Sequence, residues 1–538
     1  MVSVTSKSLV PTTQTKARKG PAFWLSFLAL SVSVFLSALD LSAVATALPT
    51  IIADLKGGDD FSWVGSAYAL SSTSFLPLSG RAADIFGRKP VMLLSVLLFA
   101  TGSAISGAAQ NMSMLIAART IQGAGGGGIL SMTSIITSDL VPLAERGLYQ
   151  GIIGATWAVA AAIGPPLGGV IAQSDWRWLF YLNLPLAGIS FGLVSFFLQV
   201  RHPPGSFREK ITRIDALGNL IIIGGTTLAV IGLTWGGIAF PWNSAHVLAP
   251  LITGFVLVGA FLLYEFTIPT EPTIPFDILS NGTSLSGFLA TTIHGVVSIS
   301  VIYYIPTYFQ ACFGASPVRS GVDMLSTSLI VAPFALIGGI ITQALNRYRP
   351  ANISGWVLLM VGFGLLSTLT ADSSPGRWVG YQIVNGAGSG LIFACALFPV
   401  LAPLLVERNA SALAFYAFCR AFSQTWGITI SATILQNQLI KNLPRSFLSQ
   451  FPAGAQIAYS AIPLIKDLDE PLRTEVRVAF ATSMAVIWKT MIGISGLGVL
   501  TLAFLKEVPM AKHKHEAFAL VQESKSGSSQ ETGMSTAV

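Results

Sequence analysis

Apolar runs of about twenty residues recur along the whole chain and leave it few ways to fold. A helix needs about 20 apolar residues to cross the hydrocarbon of a bilayer. In lipid the backbone must satisfy its own hydrogen bonds, and these runs are too long and too rich in glycine for barrel strands. A hydrophobic fraction of 52% is more than a water-soluble core needs. The sequence therefore predicts an all-α membrane protein that crosses the bilayer many times.

Fourteen such spans follow one another along the chain. They are placed near 22–45, 61–80, 90–109, 114–137, 148–172, 178–199, 214–236, 247–268, 284–305, 320–343, 352–371, 377–402, 411–436 and 480–505. With the amino terminus inside, the predicted cytoplasmic segments carry most of the lysine and arginine residues, in agreement with the positive-inside rule. Both termini are therefore expected in the cytoplasm.

An internal repeat relates the first six spans to the last six. The segment Arg119–Gly128 matches the segment Gln382–Leu391, 263 positions later, with its glycines in register. Spans seven and eight are then an insertion between two halves of the same orientation. Parallel halves around a midplane site are a recurrent transporter architecture. The repeat therefore favours alternating access over a receptor or a membrane enzyme.

The spans and the repeat predict five parts of the chain. They are a cytoplasmic tail (1–21), a six-helix bundle (22–200), a linker with two extra helices (201–283), a second six-helix bundle (284–506) that contains a long outer loop (437–478), and a cytoplasmic tail (507–538). The outer loop is either a partly ordered cap or a tolerated insertion.

Several functions are disfavoured by what the chain contains. The net charge of +7 comes from basic residues scattered between apolar runs, which topology explains better than nucleic-acid binding. The three cysteines lie far apart along the chain without a CxxC motif, so neither a disulfide framework nor a metal site is expected. The run Gly125–Gly128 lacks the Lys-Ser/Thr of a P-loop, and neither an HExxH motif nor a nucleophile elbow occurs. We expect a protein that is not an enzyme and holds no cofactor or metal.

The loop between spans two and three, Gly80–Pro90, resembles the signature loop of the major facilitator superfamily. Gly80 and Gly87 are expected to permit a tight turn at each end. Asp84 is placed to cap a neighbouring helix and, with Arg88, to form a conformational gate that is paired when the cytoplasmic side is closed. A positive-inside anchor is the alternative for the basic residues, although it leaves the full pattern unexplained. The second half has no acid that corresponds to Asp84.

The fifth span contains Gly154, Gly164, Pro165 and Gly168 and resembles the Gly-Pro motif of antiporters in this superfamily. The predicted direction of transport, outward, depends mainly on this resemblance. A packing face of small residues is the alternative and accounts for the glycines equally well.

The first span continues through Asp40 in a segment similar to the first-helix motif of the fourteen-span drug:proton antiporter branch. A carboxylate is costly in lipid, so Asp40 needs a partner, and Arg119 of the fourth span lies at a similar depth if the first helix ends near Ala45. If that helix runs on to Ile52, Asp40 moves toward the midplane and the match weakens. Asp40 is predicted to couple transport to protons and Arg119 to tune it. The alternative is an ion pair that only holds two helices together.

Other polar and aromatic residues are predicted to line the substrate cavity. They are Gln122, Trp157, Arg420, Gln424 and Trp426, with packing as the alternative for Gln122 and a position at the lipid interface as the alternative for the two tryptophans. The thirteenth span, which contains Arg420, looks like fungal toxin and secondary-metabolite exporters, and its guanidinium must face the cavity or a partner. His294 is expected to be a hydrogen-bonded packing residue rather than a proton relay.

The resemblance implies a major facilitator fold of two six-helix bundles plus two inserted helices, and an efflux antiporter driven by the proton gradient. Its cargo would be a toxin, a drug or a secondary metabolite. Import of a nutrient or siderophore and a non-transporting membrane sensor are the alternatives. We expect a monomer in the cell membrane that contacts lipid and a small-molecule substrate but no nucleic acid, with the vacuolar membrane as the second possible location.

Overall fold

The computed structural model describes residues 19–55, 62–200, 206–212, 215–236, 240–268, 274, 276–451 and 457–510. Within these ranges fourteen helices have eighteen or more residues. They are α1 (Pro21–Leu55), α2 (Ser62–Phe86), α3 (Arg88–Gly107), α4 (Met112–Leu140), α5 (Arg146–Ser174), α6 (Arg177–Phe197), α7 (Ala216–Trp235), α8 (Ala245–Thr267), α9 (Gly282–Phe313), α10 (Leu325–Leu345), α11 (Arg349–Leu366), α12 (Pro375–Cys395), α13 (Asn409–Asn442) and α14 (Leu472–Thr501).

Short helical segments join some of the long helices. They are Phe207–Thr212, Asp277–Ser280, Pro317–Asp323, Leu397–Leu401, Arg445–Leu448 and Ile457–Ile465, with 3-10 turns at Leu143–Glu145 and Val406–Arg408. The described residues form no β-strand, only an isolated bridge between Gly236 and Phe240. The predicted all-α membrane fold is confirmed.

Each predicted span overlaps one long helix in the same order, and ten of the described helices are long and apolar enough to cross a membrane. The other four, α2, α4, α5 and α13, pack against one another or against the remaining helices on several sides. A helix that faces protein needs less apolar surface than one that faces lipid. The count of fourteen crossings stays a prediction.

The ends of several helices differ from the prediction. The first helix does not stop near Ala45 but runs to Leu55, because Val44, Ala47 and Ile51 are buried in a cluster with Leu115 and Phe180 of α4 and α6. The outer loop predicted at 437–478 is shorter than expected, since α13 continues to Asn442 and α14 begins at Leu472.

Two halves of the bundle repeat the same helix contacts. In the first half α1 packs on α5 and α6, α4 packs on α2 and α3, and α3 packs on α6. In the second half α9 packs on α13 and α14, α12 packs on α10 and α11, and α11 packs on α14. Between the halves, α2 contacts α13 and α5 contacts α10, while α7 and α8 pair with each other and α7 lies against α2.

The repeated glycines explain the sequence repeat physically. A Cβ atom on Gly123 would overlap Tyr68 of α2, and one on Gly386 would meet Thr327 of α10. In the same way Gly125 allows α4 to approach α3, and Gly388 allows α12 to approach α11. Small residues let helix backbones come close in lipid. The repeated segment therefore holds α4 between α2 and α3 in the first half, and α12 between α10 and α11 in the second.

Candidate functional site

Asp40 lies at the centre of a buried polar cluster in the first half. Its Oδ2 accepts a hydrogen bond from Arg119 Nη1 at 2.6 Å, and its Oδ1 accepts from Gln122 Nε2 at 2.9 Å and from Asn183 Nδ2 at 2.7 Å. Arg119 Nη1 also donates to Gln122 Oε1 at 2.7 Å. Helices α1, α4 and α6 thus meet at one carboxylate.

The cluster is shielded from solvent. Asp40 is 2% exposed, Arg119 is 1% exposed and Gln122 is fully buried. The Arg119 guanidinium lies 4.5 Å from the ring centroid of Tyr68, and its Nε donates to the carbonyl of Val64 at 3.2 Å. A buried ion pair is tolerated when hydrogen bonds satisfy the remaining polar atoms. Both Asp40 and Arg119 meet that condition, because each forms further hydrogen bonds besides those of the ion pair.

Helix geometry brings the cluster together. Arg119 and Gln122 are three residues apart, so they share one face of α4. Helix α1 runs past Ile52, which was expected to place Asp40 and Arg119 at different depths. Asp40 nevertheless contacts Arg119 directly. The pairing survives because the additional turns of α1 follow Asp40 and leave its carboxylate next to α4.

One partner of Asp40, Asn183, and one hydroxyl next to the cluster, that of Ser103, were missed from the sequence. Asn183 of α6 donates to both Asp40 and Ser103 Oγ, the latter at 2.9 Å, and Gln122 Nε2 lies 3.3 Å from the same hydroxyl. Polar residues inside a span were the available signal. Which of many such residues meets Asp40 depends on how α3 and α6 are rotated, and the linear sequence does not specify this.

The predicted conformational gate centres on Arg88. This side chain is 2% exposed and donates from Nη1 to Asp84 Oδ1 at 2.9 Å and from Nε to Asp139 Oδ2 at 2.8 Å. Asp139, near the end of α4, was not among the predicted gate residues. Asp84 does not cap α3, whose first turn follows Gly87 without a side-chain cap. Its carboxylate instead pairs with Arg88 and accepts a 3.5 Å hydrogen bond from Ser411 of the second half.

The two gate glycines have different physical reasons. Gly87 has φ +96°, a conformation that residues with a Cβ rarely adopt, so it forms the turn between α2 and α3. The prediction that Gly80 forms a turn is wrong, because it lies inside α2. A Cβ there would overlap Ala414 of α13, so Gly80 permits close contact between the halves.

The glycines of the predicted antiporter motif face two directions. A Cβ on Gly154 would lie 3.6 Å from Phe393 of α12, in the second half, whereas one on Gly164 would overlap Ser42 of α1. Pro165 lies within the same continuous helix α5, and Gly168 is buried. The motif helix therefore contacts the second half through its first turns and α1 through its later turns.

Arg420 forms a second cluster, in the other half. Its Nη2 donates to His294 Nδ1 at 3.1 Å, and its guanidinium carbon lies 4.0 Å from the ring centroid of Phe393. His294 Nε2 is 3.0 Å from Ser389 Oγ. The expectation that Arg420 has a partner, and that His294 is hydrogen-bonded, agrees with these contacts.

The remaining predicted cavity residues form neither of these clusters. Trp426 packs against Phe255 of the inserted helix α8, with ring centroids 5.9 Å apart, so at least part of its ring faces that insertion. Gln424 is half-buried on α13. Trp157 lies on α5 and is 36% exposed. The structure therefore does not bring the seven predicted residues into one cluster.

Comparison with known proteins agrees with this architecture. The family model described as Major Facilitator Superfamily matches residues 30–428. An efflux pump of Gibberella fujikuroi, FUS6, is 38% identical over 517 residues, which cover 94% of this chain and 93% of that protein. The MFS-type transporter of the acurin A biosynthesis cluster of Aspergillus aculeatus is 38% identical over 499 residues, with coverage of 91% and 90%.

Two solved structures share the fold. The human organic anion transporter MFSD10 gives a TM-score of 0.58 at 15% identity and covers 91% of this chain and 100% of its own. The proton:xylose symporter XylE gives 0.58 at 13% identity, with coverage of 92% and 98%. At such low identity the likeness concerns the fold alone.

Proposed function

This chain belongs to the major facilitator superfamily, and from that premise we propose that it exports small organic molecules in exchange for protons. The outward direction is supported by relatives of nearly full length, one named an efflux pump and another the transporter of a biosynthetic cluster. The cargo class that follows is a secondary metabolite or toxin. The chain is a multi-pass membrane protein of a transporter family.

The buried carboxylate of Asp40 is the observation that carries the proposal of proton coupling. Its charge is balanced by Arg119 inside the bundle, between α1 and α4. A proton bound to Asp40 would remove that balance and leave Arg119 as an uncompensated buried cation. Protonation would therefore favour a different packing of α1 against α4. This links the protonation state to the conformation.

Alternating access is supported by where the two halves touch. Gly80 and Asp84 of α2 meet α13, and Gly151 of α5 meets Leu336 of α10. Gly80, Asp84 and Gly151 lie near the helix ends that are predicted to be cytoplasmic. We assign this conformation to a state closed toward the cytoplasm. Opening that side requires α2 to separate from α13 and α5 from α10.

Location and assembly follow from the same proposal. We place the protein in the cell membrane with both termini in the cytoplasm, and the vacuolar membrane is the alternative. One chain contributes both halves and every residue of the Asp40 cluster, so a monomer is sufficient for transport.

The proposal is tested first in the source organism. Deleting the gene should lower the amount of one secreted metabolite and raise its intracellular amount. That metabolite is then supplied to inside-out proteoliposomes, where an inward-acidic proton gradient should drive its accumulation, and collapsing the gradient with a protonophore should abolish it.

The two alternatives give different results. An importer would lose uptake of an external compound on deletion, and the reconstituted protein would move substrate in the same direction as protons. A sensor would produce no flux in proteoliposomes with or without a gradient. Either outcome would contradict export.

A further inference from the structure

Arg420 differs from the buried Arg88 and Arg119 in having no carboxylate partner among the described residues. Arg119 pairs with Asp40, and Arg88 pairs with Asp84 and Asp139. Among the described residues, no aspartate or glutamate forms an ion pair with Arg420, which is only partly buried on α13. A cation without a counter-charge is costly at membrane depth.

His294 orients Arg420 without neutralising it. A guanidinium can only donate hydrogen bonds, so His294 Nδ1 must be the acceptor in their 3.1 Å contact. A neutral His294 then carries its proton on Nε2 and donates it to Ser389 Oγ, 3.0 Å away. One edge of the guanidinium is therefore held by protein, while its full positive charge remains available.

The cluster lies where the two halves meet. The guanidinium stacks on Phe393 of α12, and that ring lies 3.6 Å from the Cβ position of Gly154 on α5 of the first half. Phe393 thus holds Arg420 next to the boundary between the halves. Arg420 therefore lies beside the boundary along which the halves would separate.

We propose that Arg420 binds the carboxylate of an organic-acid cargo, with Phe393 supporting the guanidinium and the apolar part of the cargo lying between the halves. This rests on the proposed export function and specifies its substrate class. Arginine matches a carboxylate with two parallel charge-assisted hydrogen bonds. The cargo would supply the counter-charge that the described residues do not.

Binding to the purified full-length protein tests the proposal with matched acids and amides. The probes are benzoate, naphthalene-2-carboxylate and anthracene-9-carboxylate, each compared at neutral pH with its primary carboxamide of nearly equal shape. The wild-type protein should bind the larger acids about tenfold to hundredfold more tightly than their amides, the range that a charge-assisted hydrogen bond contributes. The affinity of both members of each pair should increase with ring size if apolar contacts assist.

Three variants separate charge from folding. Arg420→Gln should lose the preference for the acid while retaining amide binding, which also reports that the variant is folded. Arg420→Lys keeps the charge but not the paired geometry and should retain only part of the preference. Arg319→Gln, which removes an exposed arginine paired with Asp323, is the matched control and should leave the preference unchanged.

Two outcomes would overturn the proposal: a wild-type protein that does not bind acids better than amides across the series, or an Arg420→Gln variant that keeps the preference. The export function is scored separately by proton-driven accumulation of the metabolite that gene deletion identifies. If that metabolite is exported but acids are not preferred, export stands and the carboxylate site fails. If acids bind through Arg420 but the metabolite does not move, the site stands and export fails.

Discussion

Asp40 accepts hydrogen bonds from three side chains in a position where an unpaired carboxylate would be costly. Arg119 supplies the charge, whereas Gln122 and Asn183 supply only hydrogen bonds. The alternative interpretation, that the ion pair only joins α1 to α4, uses the same contacts. Protein stability and proton-coupled transport must therefore be measured separately to distinguish a structural ion pair from a coupling residue.

At the residue scale, we predict that Asp40→Asn abolishes proton-driven export and also destabilises the protein. The variant leaves Arg119 buried without a counter-charge, a change that costs about 3–5 kcal/mol. Thermal unfolding in detergent and transport in proteoliposomes measure the two effects.

The double variant Asp40→Asn with Arg119→Gln is the control, because it removes both charges. Its unfolding temperature should move back toward that of the wild type while export stays uncoupled from protons. If the double variant regains coupling, Asp40 and Arg119 are only structural partners. If the single variant stays coupled, the proton is carried elsewhere.

Helix α4 is positioned by glycines on two of its faces. Gly123 and Gly127 allow α2 to approach, and Gly125 and Gly128 allow α3 to approach. This placement is what sets Gln122 beside Ser103 and Arg119 beside Tyr68. The glycine run is therefore a packing device that positions the polar cluster.

At the element scale, Gly125→Ala should destabilise the protein by about 1–3 kcal/mol, because its Cβ would overlap the backbone of Phe99 on α3. Gly192→Ala is the matched control, since nothing lies within 4 Å of its Cβ position on α6. That change should be neutral or stabilise by about 0.5–1 kcal/mol through helix propensity. Unfolding curves in one detergent give the ranking, and equal midpoints for the two variants would contradict this account of α4.

The whole molecule is held in one conformation by contacts between its halves. Gly80 lies against Ala414, Ser411 donates to Asp84, and Gly151 lies against Leu336. These contacts relate the halves pseudo-symmetrically, because α2 with α13 corresponds to α10 with α5. In the part of the chain that the structure describes, the charged gate is found in the first half, where Arg88 joins Asp84 to Asp139.

At the scale of the whole molecule, Gly80→Val should shift the protein toward the state open to the cytoplasm, because the new side chain would collide with α13. The readout is maleimide labelling of Ser411→Cys in inside-out vesicles, in a background with Cys419→Ser. Since overpacking costs about 1–3 kcal/mol, labelling should be about tenfold faster or more.

Gly65→Val is the control on the same helix, because nothing lies within 4 Å of its Cβ position. It should leave the labelling rate of Ser411→Cys unchanged. Equal rates in both variants would mean that the contact between α2 and α13 does not govern access from the cytoplasmic side.

The sequence by itself determined the class of fold, the order of the long helices and the two halves. Lipid excludes unpaired backbone groups, so long apolar runs must become helices, and a duplicated pattern of glycines must give duplicated contacts. It also identified Asp40, Arg119 and Arg420 as residues in need of partners, because an ionisable group within a span is costly. These conclusions depend only on the order of apolar, small and ionisable residues along the chain.

Only the tertiary structure decided which partners they have. Asn183 reaches Asp40 across 143 positions, Asp139 reaches Arg88 across 51, and His294 reaches Arg420 across 126. Such contacts depend on the rotation and crossing of helices, which are set by all the side chains at each interface together. Trp426 illustrates the same limit, since its contact with Phe255 depends on where the inserted helix α8 packs.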